Sequence, residues 1–230
     1  MNISEKFDFK SDLLYESLND SDMKLIESTY ERLSFSKGDK IFYEDGIPTG
    51  MFQIVSGRVK KFKTVLDKQQ QIFYVYGKND FFGYHALLSN ERYQDSCEAI
   101  EDVVVNFISA KNFKMLLDKL PMLKDALLVN ISHEFGVLAN VIGILAQKSL
   151  IVRLGLFLLI LHKRFRLKEN LKKGMNFSRE DLANIIGTSR ESLSRSLNEL
   201  KTLDLIFVKG RFIQIKSEDR LEEFVLSHTT

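Results

Sequence analysis

At Pro121 the hydrophobic pattern of this 230-residue chain changes period, and that change constrains the fold more than any other feature. Before it, six of the twelve glycines fall between Gly38 and Gly83. They separate short runs rich in β-branched and aromatic residues: Lys40–Tyr43, Met51–Val55, Arg58–Leu66 and Gln71–Tyr76, with Val103–Ile108 beyond. Strands of this length punctuated by turn glycines predict an antiparallel jelly roll or barrel. Upstream, Leu13–Leu33 has helical spacing, with Ser21 and Asp22 as caps. After Pro121, a residue tolerated in the first turn of a helix, the spacing becomes a heptad. Leu128, Ile131, Phe135, Leu138, Ile142 and Leu145 alternate in threes and fours over nearly three heptads, which is the a/d seam of a coiled coil. Val137, Val141 and Ile144 add a second apolar flank, so one helix can face a partner helix and its own barrel together. The same spacing also fits an ordinary core helix. Gln147-Lys148-Ser149 breaks the pattern and reads as a hinge.

Charge divides the chain at about the same place. The net charge of +2 averages unlike halves: residues 1–149 carry 18 Lys and Arg against 21 Asp and Glu, and residues 150–230 carry 15 against 10. The basic half includes the run His162–Lys173, and its excess points to a polyanionic partner. A single cysteine, Cys97, excludes a disulfide framework and a multi-cysteine zinc or iron–sulfur site within one chain. It fits a reducing, cytoplasmic compartment, as does a polar N-terminus with no signal-peptide pattern. The longest apolar stretch, Leu154–Leu161, is too short to span a bilayer, so no membrane partner is expected. Eighteen Phe and no Trp form a bias with no role legible in the sequence.

The most informative segment is Asn176–Ile206. Ser178 and Asp181 form a carboxylate variant of the capping box at the start of one helix. Leu182, Ile185 and Ile186 give it a buried face, and Gly187 supplies a turn. Thr188 with Glu191 reads as a second capping box, opening a helix whose apolar positions are Leu193, Leu197 and Leu200. Two short helices joined by a glycine turn form a helix-turn-helix, whose second helix can enter the major groove. That helix exposes Ser189, Arg190, Glu191, Ser192, Ser194, Arg195 and Asn198. Arginine bonds bidentately to guanine and glutamate accepts from cytosine, so Ser189, Arg190, Glu191, Ser194 and Arg195 are the candidate base contacts. Leu205–Val208 and Phe212–Ile215 flank Lys209-Gly210-Arg211 as a hairpin, hence a wing. Lys209 and Arg211 at its tip, with Arg179, are candidate phosphate contacts.

This order of parts resembles the Crp/Fnr family of bacterial transcription regulators along nearly the whole chain. The segment Gly187-Thr-Ser-Arg-Glu-Ser-Leu-Ser-Arg195 is similar to the family's recognition-helix signature, with Arg190, Glu191 and Arg195 at its base-contacting positions and Ser194 as in the Fnr-like variant. Phe35–Ile41 through Ile54–Val59 looks like the family's opening strands. The resemblance implies an α+β fold: a sensor jelly-roll barrel of cyclic-nucleotide-binding type over 1–120, a dimerisation helix and hinge over 121–149, and a winged helix-turn-helix over 150–230. It implies a homodimer on near-palindromic double-stranded DNA, with half-sites resembling TGTGA or TTGA, RNA polymerase as a partner, and a small-molecule effector the sequence does not name.

The resemblance departs at the effector segment. The stretch Gly83–Ser96 has Tyr84 where cyclic-nucleotide binders have Glu, and Arg92 lacks the hydroxyl residue that follows it there. Leu138 and Ala139 stand where cyclic-AMP receptors present hydroxyls. His85 falls at the position of the haem-ligating histidine of carbon-monoxide sensors, though the nearby cysteine of those sensors is Gly83 here. The candidate effector pocket is therefore Gly83, Tyr84, His85 and Arg92; no cofactor is expected, with haem on His85 as the alternative. A sensor acting through protein contacts is the rival reading. A cupin-like enzyme finds no support: His85, His133, His162 and His228 are too scattered for its metal site, and no nucleophile–base signature is present.

Overall fold

The computed structural model describes residues 7, 18–64, 69–169 and 174–228. Two compact units divide the chain. One contains Phe9–Lys68 with Phe73–Gly136; the other includes Val137–Thr230 with Gln69–Ile72.

The first unit begins with α1 (Asp20–Glu27), capped by Asn19, whose side chain accepts from the Asp22 amide at 2.9 Å. The helix expected as far as Leu33 stops at Glu27, and its cap is Asn19, not Ser21 or Asp22. The reason is tertiary: β1 (Glu31–Phe35) is drawn into an antiparallel ladder with β8 (Val103–Ser109), Leu33 opposite Val105. The part of that expectation over 13–17 lies outside the described residues. The remaining strands are β2 (Lys40–Phe42), β3 (Gly50–Ser56), β4 (Val59–Thr64), β5 (Gln70–Tyr76), β6 (Phe81–Phe82) and β7 (Ser96–Ala99). They form two four-stranded antiparallel sheets, ordered β1-β8-β3-β6 and β2-β7-β4-β5. The sheets pack through aromatic rings. Phe42 of one sheet lies 6.2 Å from both Phe52 and Phe82 of the other, Tyr76 stacks on Phe82 at 5.4 Å, and Phe42 stacks on Tyr93 at 3.9 Å. Part of the phenylalanine excess thus becomes the filling of this sandwich. At Gly50 a Cβ would meet the Ile108 carbonyl at 2.1 Å, so only glycine lets β3 and β8 approach this closely.

Between β6 and β7 runs α2 (Tyr84–Ser89). After β8 come α3 (Ala110–Lys119) and α4 (Pro121–Gln147), the latter a single 27-residue helix beginning at the proline. Two stripes run along α4. Leu123, Leu127, Asn130, Glu134, Val137, Val141 and Ile144 are buried. One residue further round, Leu128, Phe135 and Ile142 are 65%, 74% and 65% exposed, with Ile131, Leu138 and Leu145 partly so. The heptad seam and the apolar flank are therefore separate faces, with the seam outward. Length and composition alone would let α4 cross a bilayer, with mean hydropathy 1.5 in its most apolar window; that apolarity is instead divided between these two stripes.

In the second unit the chain breaks after Gln147, where expected, and α5 (Leu150–Glu169) follows. Val152, Leu154, Leu156–Leu161 and Phe165 are all buried, as fits a helix that is apolar all round. At Gly155 it admits Val225 of α8 (Glu218–Ser227). The strands β9 (Met175–Asn176), β10 (Ile206–Lys209) and β11 (Phe212–Ile215) form a sheet ordered β10-β11-β9. Two helices, α6 (Arg179–Ile186) and α7 (Arg190–Thr202), lie between β9 and β10.

Candidate nucleic-acid interface and sensor centre

The helix pair is built by local hydrogen bonds. Ser178 caps α6: its hydroxyl oxygen accepts from the Asp181 amide at 2.9 Å and donates to the Asp181 carboxylate at 2.5 Å. Gly187 ends that helix with φ 65° and ψ 57°, a left-handed conformation that favours glycine, and its amide donates to the Ala183 carbonyl. The second helix is capped by Ser189, which accepts from the Ser192 amide at 3.2 Å. The expected cap Thr188 is one residue early. A Ser-Arg start satisfies the same orphan amides as a Thr-Ser start, so spacing alone does not separate them. Leu182, Ile185, Ile186, Leu193, Leu197 and Leu200 are buried as the pattern requires.

The opposite face of α7 is open. Arg190, Glu191, Ser194, Arg195 and Asn198 are exposed. The Arg195 guanidinium donates to Ser192 Oγ at 3.0 Å, and Ser194 Oγ donates back to the Arg190 carbonyl at 2.8 Å. Ser189, a candidate base contact, is occupied in capping. The Glu191 carboxyl is held below the ordinary carboxylate value by its own backbone amide and the Ser189 hydroxyl, so it is an ionised acceptor at neutral pH. In the wing, Lys209 pairs with Phe212 across the turn, and Lys209, Gly210 and Arg211 are exposed. Arg179, Arg190, Glu191, Ser194 and Arg211 come together with Ser178, Glu180 and Gly210 around an open groove of about 690 Å³. Ser189, Arg195 and Lys209 lie outside its lining. Arg179 does not simply point at solvent, since its Nη2 donates to the Gly210 carbonyl at 2.7 Å.

The basic run after Leu161 has another use. His162 faces Glu218 at 3.2 Å, Lys163 faces Glu222 at 3.5 Å, and Arg164 is 5% exposed. His162 and Lys163 fasten α5 to α8, and Arg164 is buried, so these three do not form a surface for a polyanion. The side chains of 166–169 and all of residues 170–173 of that run lie outside what the structure describes.

In the sensor unit, α2 delivers Tyr84 and His85 to α4. Tyr84 Oη donates to Glu134 Oε1 at 2.6 Å and accepts from Asn130 Nδ2 at 2.5 Å. Asn130 Nδ2 also reaches Glu134 Oε1 at 3.1 Å, and His85 Nε2 meets Glu134 Oε2 at 2.7 Å. Burial pushes the Glu134 carboxyl up, but the His85 hydrogen bond and charge, Lys61 and Tyr84 outweigh it and hold it below the ordinary value. Burial, then the Glu134 charge, pushes the Tyr84 hydroxyl well up. Of the four residues expected to form an effector pocket, only Tyr84 and His85 share this centre. Gly83 supplies the left-handed turn before them, at φ 85°. Arg92 is exposed and donates to the Asp45 carbonyl at 2.7 Å, away from the interior. Sequence reasoning missed Asn130 and Glu134; their signal is a polar i, i+4 pair inside an otherwise apolar stripe.

These residues do not fit a cyclic phosphate. Rings fill the sandwich, the ionised group that Tyr84 and His85 meet is the Glu134 carboxylate, and the buried cations Arg58 and Lys60 are paired with Glu101 and Glu98. Nor do they offer iron a free Nε2 on His85, which Glu134 engages. Cys97 is fully buried, and burial pushes its thiol well up, away from thiolate chemistry.

A winged helix-turn-helix with a basic-faced recognition helix, carried on the same chain as a jelly-roll sensor, defines a DNA-binding regulator. The comparisons agree: a cyclic nucleotide-binding domain model matches residues 32–119, and a Crp-like helix-turn-helix model matches 152–224. The chain belongs to the Crp/Fnr family of DNA-binding transcription regulators. It is 24% identical over 214 residues to the cyclic AMP receptor protein of Thermus thermophilus, covering 93% of this chain and 97% of the relative. It is also 24% identical over 216 residues to the fumarate and nitrate reduction regulatory protein of Escherichia coli K12, covering 93% and 86%. The structure of FixK2 from Bradyrhizobium japonicum shares the fold with a TM-score of 0.75 at 23% identity, covering 84% of this chain and 96% of that one. A CooA mutant from Carboxydothermus hydrogenoformans does so at 0.66 and 20%, covering 87% and 89%.

Proposed function

We propose that the chain acts in the cytoplasm as a homodimer that reads a near-palindromic promoter site, each recognition helix taking one half-site about one DNA turn from the other. The observation that carries this reading is the outward face of α7, where Arg190, Glu191 and Arg195 stand exposed beside a wing with Lys209 and Arg211 at its tip. Arg190 and Arg195 read guanines and Glu191 a cytosine, favouring half-sites resembling TGTGA or TTGA. Lys209, Arg211 and Arg179 hold phosphates and set register. The exposed stripe Leu128, Phe135 and Ile142, at a strict spacing of seven, is the surface a second copy would cover. A small-molecule effector and RNA polymerase complete the set of partners. The chain's relatives are transcription regulators, and no catalytic role is assigned.

Selection of bound sites from random duplexes, followed by mobility shift, tests this. An inverted repeat is expected. Arg190→Ala should cost roughly 1–3 kcal/mol at one base pair per half-site. Equal weakening on every sequence would make Arg190 a phosphate contact, and no binding at low salt would favour a regulator that acts through protein contacts.

A further inference from the structure

Arg179 occupies the first position of α6, where the positive end of the helix dipole disfavours a cation; the neighbouring first-turn residues, Glu180 and Asp181, are acidic as that field prefers. Its side chain does not run straight out into solvent. The guanidinium turns to the wing, and Nη2 donates to the carbonyl of Gly210 at 2.7 Å. Gly210 sits at φ 57°, between the paired ends Lys209 and Phe212 of β10 and β11. The other terminal nitrogen, Nη1, is buried and has no hydrogen-bond partner. Desolvation lowers the pKa of this group, yet arginine stays charged at neutral pH. A charged donor taken out of water and left without an acceptor is costly, and the same side chain lines the groove.

Three arginines and two glutamates line that groove, so it offers one net positive charge. That suits a single phosphodiester. Only a planar fork can hold a carbonyl with one terminal nitrogen and an anion oxygen with the other; a lysine ammonium has no such fixed geometry.

We propose that Arg179 is the wing-positioning residue of the DNA interface: one nitrogen fixes the wing turn while the same guanidinium, which lines the groove, donates to a backbone phosphate, so wing placement and phosphate grip are made by one side chain. The inference rests on the DNA-binding reading and goes beyond it by giving the wing its orientation before DNA arrives.

The test uses the full chain with Arg179→Ala, Arg179→Lys and, as a plain phosphate control, Lys209→Ala. Amide hydrogen exchange at Arg211 and Phe212 is measured on the free proteins, and affinity for a generic duplex is measured against salt. Wing exchange should rise roughly tenfold in both Arg179 variants and stay unchanged in Lys209→Ala. Affinity should fall about tenfold in Arg179→Lys with the salt slope retained, and further in Arg179→Ala with the slope reduced by about one. Unchanged wing exchange in Arg179→Ala would overturn the positioning role and leave a simple phosphate contact. Faster exchange with full DNA affinity would equally overturn it, since the brace would then serve the fold alone. If the unaltered protein bound no duplex at low salt, the DNA reading would fall, while exchange on the free protein would still decide whether Arg179 holds the wing.

Discussion

The sensor sandwich and the recognition face solve the placement of charge in opposite ways. The sensor sandwich draws ionic groups inward: Glu134 and Arg58 are 2% and 6% exposed, and each meets an opposite charge or several donors at 2.6–2.8 Å. In the winged unit the recognition helix and wing keep their ionic groups outside, over a core of Leu, Ile and Val. The difference teaches where each can be broken. A buried carboxylate is held by what its neighbours donate, so the sensor is fragile to loss of single polar atoms. The recognition face can lose any one charge and remain folded.

The largest expected effect follows from that contrast. Glu134→Leu should destabilise the sensor unit by about 3–5 kcal/mol, because it strands Tyr84, Asn130 and His85 together; thermal unfolding measures it. Arg190→Ala should change stability by less than about 0.5 kcal/mol, and a comparable loss at both positions would erase the distinction drawn between the units. Next in size is association. Phe135→Asp, on the exposed seam, should convert a dimer to a folded monomer in sedimentation at micromolar concentration. A monomeric unaltered protein, or a dimeric Phe135→Asp, would leave that face without its partner.

Acid sharpens the comparison further. Glu134 is held below its unfolded value, so the folded state binds fewer protons there. The stability it contributes is complete above the ordinary carboxylate value and is lost as pH falls through the depressed one. Glu134→Gln should flatten this acid limb. Asp204, depressed by its Lys216 partner, is exposed, so its contribution should fade with added salt while that of Glu134 persists. The smallest effect separates two adjacent caps: Ser189→Ala should cost about 1 kcal/mol in unfolding experiments and Thr188→Ala much less.

What could be read from the amino-acid order tracks how local the determining forces are. The helix-turn-helix was legible because Ser178, Gly187 and three leucines act within one or two turns. The heptad of α4 was legible for the same reason. The strands β6 and β7 were not: Phe81–Phe82 is too short to alternate, and Ser96–Ala99 is held by pairing with β2 and β4. The basic run after Leu161 looked like a surface because its acidic partners, Glu218 and Glu222, lie more than fifty residues away. The sensor's centre was half visible. Tyr84 and His85 drew notice as departures from a pattern, but the carboxylate they serve stood unmarked on another helix, and only folding brings the two segments within 3 Å.

One adjacency on α4 carries a consequence of its own. Glu134 is locked into the sensor by three donors, and Phe135, the most exposed large apolar side chain of the seam, is the next residue. Their α-carbons are about 3.8 Å apart through a rigid peptide plane. A backbone shift at Glu134 therefore carries Phe135 with it, with no relay of intervening contacts.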